Sequence, residues 1–316
     1  LQGIFDELRS LLIASAQKCN ADCISLSGGL DSTILAFCTQ KKNMKSFSII
    51  AKNFPSSDLL YAQLAAKTIN LKLIVFQVEI NDLLLAIGET IRILQVFNPI
   101  EIRNNVVIYL VLKNAKNQGC KKIITGDGAD ELFAGYNFFQ RMTSDELEKD
   151  LKRIWQVMHF PSKAISNHLG ISICTPFLDA DMIKFAKKIP ADLKVKEENG
   201  IKFGKWILRK AFENDLPKSI IWRKKTAMQD GSGTSGLTSF LDNMVEQTEF
   251  EEKAKKYEKE EKVKILSKES LYYYEIFRKY CNAPFALNDM SIRCPVCNFG
   301  MAKKSHFCHM CGSFPI

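Results

Sequence analysis

The 316-residue chain has no apolar run that approaches the length of a membrane span. No secretory leader is visible at its start, so a cytoplasmic location is the default expectation. The pattern GxxxxGK[ST] is absent, which excludes an ordinary kinase or GTPase phosphate loop. Histidine is scarce. His159 and His168, two of the four, have no metal partner nearby in sequence and read as structural or surface residues. A disulfide framework is also missing. Of ten cysteines, four cluster at the C-terminus, and Cys19, Cys23, Cys38, Cys120, Cys174 and Cys281 are scattered. That pattern reads as a metal site plus free thiols in a reducing compartment.

What is present includes an excess of positive charge. Lysine and arginine number 44 against 35 acidic residues, a net +9. The balance suits a nucleic acid or another polyanion as partner, and it equally suits a lysine-rich soluble protein. At 46% apolar residues, the length supports one sizeable core plus an accessory module.

The stretch Ser27-Gly28-Gly29-Leu30-Asp31-Ser32 follows a short apolar run, Cys23 to Leu26, and precedes a helical pattern from about Thr33 to Lys41. Strand, glycine turn and helix make the setting of a phosphate-binding loop. Gly28 and Gly29 let the backbone approach a polyphosphate. Ser27, Ser32 and the free N–H groups of the first helical turn then donate to its oxygens. A bare carboxylate would be repelled by phosphate, so Asp31 points to Mg2+.

Further strands are expected at Ser46–Ile50, Leu73–Phe76 and Lys122–Thr125, alternating with helices over residues 1–20, 60–69, 81–96 and 103–117. Pro55 to Asp58 reads as a turn that caps the helix after it, and Asp179 as the cap of another. Residues 145–170 and 237–280 read as helical, and lysine and glutamate intermixed over 251–264 as a solvated helical face. The fold class is therefore α/β, with a mostly parallel doubly wound sheet and a helical C-terminal part. The loop from Gly126 to Gly135 also follows a strand, so both glycine-rich loops can face one cleft at the C-terminal edge of the sheet.

The SGGxDS stretch resembles the loop of the ATP pyrophosphatases, which cleave ATP between the α and β phosphates. Thr125-Gly126-Asp127-Gly128-Ala129-Asp130-Glu131-Leu132-Phe133-Ala134-Gly135-Tyr136 resembles the signature of the asparagine synthetase family's synthetase domain. Three other stretches resemble further elements of that family. They are Pro176-Phe177-Leu178-Asp179, Leu216-Pro217 through Trp222-Arg223-Lys224-Lys225, and the turn Asp230-Gly231-Ser232-Gly233. Ile102-Arg103-Asn104 lies where relatives approach the nucleotide. The resemblance covers roughly residues 20 to 280.

It implies an ATP pyrophosphatase (HUP-like) fold and an AMP-forming ligase. ATP would be held by Ser27, Gly28, Gly29, Asp31, Ser32, Gly126, Asp130 and Lys205. Asp31 and Asp130 would hold Mg2+, and Lys225 would neutralise the departing pyrophosphate. Asp127, where relatives carry glutamate, would take a proton from the amine. Cys174 stands where relatives commonly carry arginine, which makes it a candidate reactive thiol. The glutaminase domain that heads glutamine-dependent relatives is not expected, since the phosphate loop already begins at residue 27. The nitrogen would then come as free ammonia or from a partner protein.

The tail differs. Cys294 and Cys297, with Cys308 and Cys311, form two CxxC knuckles separated by ten residues. Four thiolates at that spacing fit structural Zn2+ in a small ribbon. The expected division is 1–285 for the synthetase-like domain and 286–316 for the ribbon. Two acceptor classes stay open: a small molecule amidated with ammonia, or a tRNA base modified with nitrogen or sulfur. The stretch 202–225 and the pair Lys303-Lys304 supply positive charge for the second class. A non-catalytic nucleotide-binding scaffold is the third alternative.

Overall fold

The computed structural model describes all residues except Lys42, Asn43, Asn53, Pro55, Ala227 and Lys304. The turn expected at Pro55 and one member of the Lys303-Lys304 pair therefore lie outside the described residues. The chain divides into two compact units. Leu1–Ile50, Ser56–Gln77 and Val111–Ala227 form the first; Ala51–Pro55, Val78–Leu110 and Met228–Ile316 form the second.

The first unit is built on five strands: β1 (Cys23–Ser25), β2 (Lys45–Ala51), β3 (Lys72–Val78), β4 (Lys122–Ile124) and β5 (Ser172–Cys174). Their order is β3-β2-β1-β4-β5. β1 pairs in parallel with both β2 and β4, and β4 with β5. Phe47 to Ala51 of β2 are buried without alternation, as expected of a strand covered on both faces. The chain first builds outward from β1 to β3, then returns to lay β4 on the other side. That reversal makes β1 and β4 a topological switch point, with a crevice at their carboxyl ends.

Helices α1 (Gln2–Lys18), α2 (Leu30–Thr39) and α3 (Asp58–Ile69) belong to the first unit. α1 turns Leu8, Leu12 and Ala16 into one continuous core with Ile24, Leu35, Phe177, Phe212 and Ile221. The helical stretch expected over 145–170 is two helices, Ser144–Val157 and Ser162–Leu169, because Pro161 interrupts it. β5 was not foreseen. Three residues between the left-handed Gly170 and Pro176 are too few to show a period. The hairpin β6 (Val195–Glu198) and β7 (Ile201–Gly204) was missed as well. Its Asn199-Gly200 turn, with φ of 51° and 78°, is the two-residue hairpin signal that the sequence did offer.

In the second unit, α4 (Ile80–Leu94) starts at a capping box between Glu79 and Asp82. α5 (Pro99–Asn117) gives this unit its first twelve residues, through Leu110. Helix Lys268–Phe277 places Tyr274 and Phe277 against Phe97, with ring centroids 4.9 and 5.4 Å apart. Arg103 lies 2.5 Å from Glu269, which also accepts from Thr238 and Tyr273. Helix Gln247–Glu261 buries none of its residues, in keeping with the solvated face expected there. The turn expected at 230–233 is instead the end of a short helix, Met228–Ser232, closed by Gly233 at φ +87°. Strands β8 (Ile292–Arg293) and β9 (Gly300–Met301) form the ribbon hairpin. Among the described residues no single helix is long and apolar enough to cross a membrane; α4 and α5 meet the test only as a pair with a 108° bend between them.

Candidate active site

Two loops at the switch point create the site. After β1, the backbone turns at Gly28, φ +74°. A Cβ on Gly28 would fall 2.2 Å from the backbone of Tyr61 and Ala62 in α3, so only glycine lets the loop pass there. Ser27 Oγ lies 3.2 Å from Ser32 Oγ and accepts from the Gly29 N–H, while Ser32 Oγ donates to the Gly29 carbonyl. These bonds set the loop geometry within the protein itself. After β4, Gly126 brings the second loop alongside the first: a Cβ on it would sit 3.4 Å from Asp31 Cβ.

Four charges meet between the loops. Lys205 Nζ donates to Asp31 Oδ2 at 2.5 Å and lies 2.6 Å from Asp130 Oδ1. Lys225 Nζ donates to both Asp130 oxygens, at 2.8 and 2.6 Å. Burial alone would raise the Asp130 carboxyl; the ammonium groups of Lys205 and Lys225 overcome it and hold the acid well below the usual carboxylate range. Lys225 is raised in turn: burial works against its charge, and Asp130 and Asp31 outweigh burial.

Lys205 is positioned by backbone. Its N–H donates to the Phe133 carbonyl at 3.0 Å, and it caps helix Trp206–Phe212 at φ +55°. Lys205 and Arg209 therefore do not share a helix face. Gly135 leaves the space the charges need, since a Cβ there would fall 1.9 Å from Asp130 Oδ1 and 2.1 Å from Lys205 Cε.

Asp31 and Asp130 are the candidate donor set for Mg2+ at this site. Asp31 Oδ1 is buried and has no partner among the described residues, and it belongs to a carboxylate that shares Lys205 with Asp130. An orphaned acidic oxygen next to a second carboxylate is the chemistry of a hard-cation ligand set. The residues fit the ion.

Asp127 is held by two hydroxyls. Its Oδ2 accepts from Thr125 Oγ1 at 3.1 Å and from Ser162 Oγ at 2.6 Å. Burial pushes this acid up, against those two bonds. The bond from Ser162 ties the loop to helix Ser162–Leu169. Glu131, in the same loop, accepts from the Tyr136 hydroxyl, and its carboxyl is raised mainly by burial.

Two other expectations are corrected. Cys19 and Cys174 form a disulfide with their Cα atoms 5.8 Å apart, so they are not free thiols and Cys174 has no thiol to react. The remaining cysteines of the first unit, Cys23, Cys38 and Cys120, are buried. The stretch 202–225 is not a basic face. Lys205 and Arg209 are 3% and 5% exposed, and Arg209 donates to the carbonyls of Gly204, Ile221 and Arg223. Arg223 pairs with Asp58 at 2.9 Å over the Tyr61 ring, and Lys210 with Glu213 at 2.6 Å. Lys202, Lys218 and Lys224 are the members that stay exposed.

In the second unit the Sγ atoms of Cys294, Cys297, Cys308 and Cys311 lie within 4.8 Å of one another. Cys294 and Cys311 are 3.7 Å apart, and Cys297 and Cys308 3.6 Å. Thiolates held at about 2.3 Å in a tetrahedron are separated by about 3.8 Å, so the four could hold a metal ion.

The switch-point sheet, the SGGLDS loop and the paired carboxylates are those of the ATP pyrophosphatase class. The asparagine synthase family model matches residues 8–169 and 144–293, and the chain belongs to that family. Asparagine synthetase [glutamine-hydrolyzing] of Gallus gallus is 32% identical over 279 residues, 81% of this chain and 48% of that protein. The enzyme of Zea mays is 28% identical over 81% of this chain and 47% of its own length. The chain thus spans about half the length of the curated relatives it matches. Among solved structures, NMN synthetase from Francisella tularensis superposes with a TM-score of 0.40 at 14% identity, covering 89% of this chain and 96% of that one.

Proposed function

We propose that this chain is an amide-forming synthetase that activates a carboxylate with ATP and then joins it to nitrogen. The observation that carries this is the cluster of Asp31, Asp130, Lys205 and Lys225 between two glycine-rich loops at the switch point. A carboxylate oxygen attacks the α-phosphorus, the bond to the β phosphate breaks, and pyrophosphate leaves with the electron pair. The nitrogen nucleophile then attacks the acyl carbon, and AMP departs. Charge builds on the pyrophosphate, so the barrier is chiefly electrostatic.

Ser27, Gly28, Gly29 and Ser32, with Gly126, cradle the nucleotide. Asp31 and Asp130 would hold Mg2+, which when bound screens the polyphosphate charge. Lys205 and Lys225 exchange their carboxylate partners for phosphate oxygens. Asp127 serves by holding its loop through Ser162. The nitrogen is ammonia, free or partner-supplied. With Cys174 oxidised and the other cysteines of this unit buried, nitrogen is better supported than sulfur. We further propose residues 1–285 as the catalytic part and 286–316 as a Zn2+ ribbon.

The test is labelled ATP incubated with pooled amino acids, with and without ammonium chloride. AMP and pyrophosphate are expected, with amide formed in the ammonium arm and Lys225→Ala reducing pyrophosphate release at least 100-fold. ADP and phosphate would sink the assignment. Release stimulated by bulk tRNA in place of amino acids would replace the small-molecule acceptor.

A further inference from the structure

We propose that the face of α5 carrying Glu101, Asn104 and Asn105 is a binding site for the ammonium ion. This deepens the amide-synthetase reading, on which its biological meaning rests, by naming where the nitrogen donor is held.

The site offers three side-chain acceptors, the Glu101 carboxylate and the amide oxygens of Asn104 and Asn105. Residues three and four apart on a helix lie side by side, with Cβ atoms about 5–6 Å apart, so Glu101 is flanked by Asn104 and Asn105. Asn105 is 4% exposed. Its Nδ2 donates back to the Glu101 carbonyl at 2.8 Å, which fixes which end of the amide is oxygen. The Oδ1 left over is buried and has no partner, and neither has the buried Oδ1 of Asn104. An unmet buried acceptor is costly, so two on one face ask for a donor.

Among the described residues none supplies that donor. Arg103, the neighbouring cation in the chain, faces elsewhere and is committed to Glu269 at 2.5 Å. The N–H groups of Ile100 and Glu101 in the first helical turn are taken by Asn98 Oδ1. Burial pushes the Glu101 carboxyl up to about 7, with no counter-charge acting on it. One carboxylate and two amide oxygens match a small cation bearing several N–H donors. Such a guest satisfies both orphaned oxygens and restores the charge partner that Glu101 lacks.

The experiment is a thermal-shift titration of the full chain at pH 7.5 and constant ionic strength, with no nucleotide or acceptor present. Ammonium chloride is compared with potassium chloride and with tetramethylammonium chloride, which has the charge without N–H donors. L-Alanine amide is a fourth arm, to distinguish the ammonium of an amino-acid acceptor from the free ion. The expected result is a saturable rise in Tm of at least 2 °C with ammonium alone. Glu101→Gln should abolish it, and Asn104→Ala should weaken it at least fivefold. Equal stabilisation by potassium, stabilisation by alanine amide alone, or a rise that survives Glu101→Gln would each overturn the assignment, as would no response in wild type. Because ATP is absent, saturable ammonium binding without amide synthesis would stand against the proposed reaction and leave this site in place.

Discussion

Lys194 is fully buried, its Nζ has no hydrogen-bond partner, and it sits 4.5 Å from the centre of the Trp155 ring. The ring face offsets part of the cost of burying a charge and cannot replace water. Burial lowers this lysine to about 7. Between there and the ordinary lysine value near 10.4, the unfolded chain holds the proton and the folded chain does not. Stability therefore rises with pH across that window, by at most about 1.4 kcal/mol per pH unit. Glu101 acts in the opposite sense, losing stability as pH rises towards its value of about 7, so its effect is largely spent above pH 7.5. Lys194→Met should be more stable than wild type at pH 7.5, and the gap should narrow steadily towards pH 9. Urea unfolding at three pH values measures it, and parallel curves would refute it. Sequence could not reveal this residue, because a lysine near a solvated helix end looks like any other until Trp155 is folded onto it. Asp31 and Asp130 were legible for the opposite reason: each stands in a contiguous strand–loop–helix stretch whose geometry is local.

The elements show the same divide. The loop after β1 was readable because its glycine pair sits directly between a strand and a helix; that Gly28 must also pass the backbone of α3 emerged only in the fold. Lys205 was placed in the nucleotide site, but the hairpin β6–β7 that delivers it was not read, and its neighbours looked like a basic surface until their partners folded in. The pairing of α1 with β5 was invisible too, since 155 residues separate Cys19 from Cys174. That disulfide joins the end of α1 to the edge strand of the sheet, beside the bonds from Ser15 to the Pro176 carbonyl and from Lys18 to Asp179. A crosslink closing so long a loop is expected to stabilise by roughly 2–5 kcal/mol. Alkylation of the denatured, unreduced chain should leave two cysteines unmodified. Reduction, or the double variant Cys19→Ser with Cys174→Ser, should lower the unfolding free energy by that amount. Equal denaturation midpoints with and without reductant would show that the link contributes nothing.

At the scale of the whole molecule, the two units call for different treatment of metal. The four-charge cluster and both glycine-rich loops lie in the first unit, the four-cysteine cluster in the second. The ribbon is knitted to the rest of its own unit. Phe97 N–H donates to the Met310 carbonyl at 3.0 Å, and Lys264 N–H to the Val296 carbonyl at 2.8 Å. Gly312 presses so close to Asn98 that a Cβ would fall 2.5 Å from its Oδ1. That same oxygen caps the first turn of α5, which carries Glu101. So small a ribbon would draw its stability from the proposed ion, and losing that ion should loosen whatever leans on it. Chelation, or Cys308→Ser, should release about one equivalent of zinc and raise amide exchange over residues 290–316. Faster exchange should extend to 97–101 and stop short of the loops at 27–32 and 126–131. ATP affinity should change less than twofold, and the ammonium-induced Tm rise should fall with the metal. Hydrogen exchange with and without chelator, followed by nucleotide titration, reads both. Unchanged protection at 97–101 after complete metal loss would show that the Asn98 cap stands without the ribbon, and loss of ATP binding would show that the two sites are coupled.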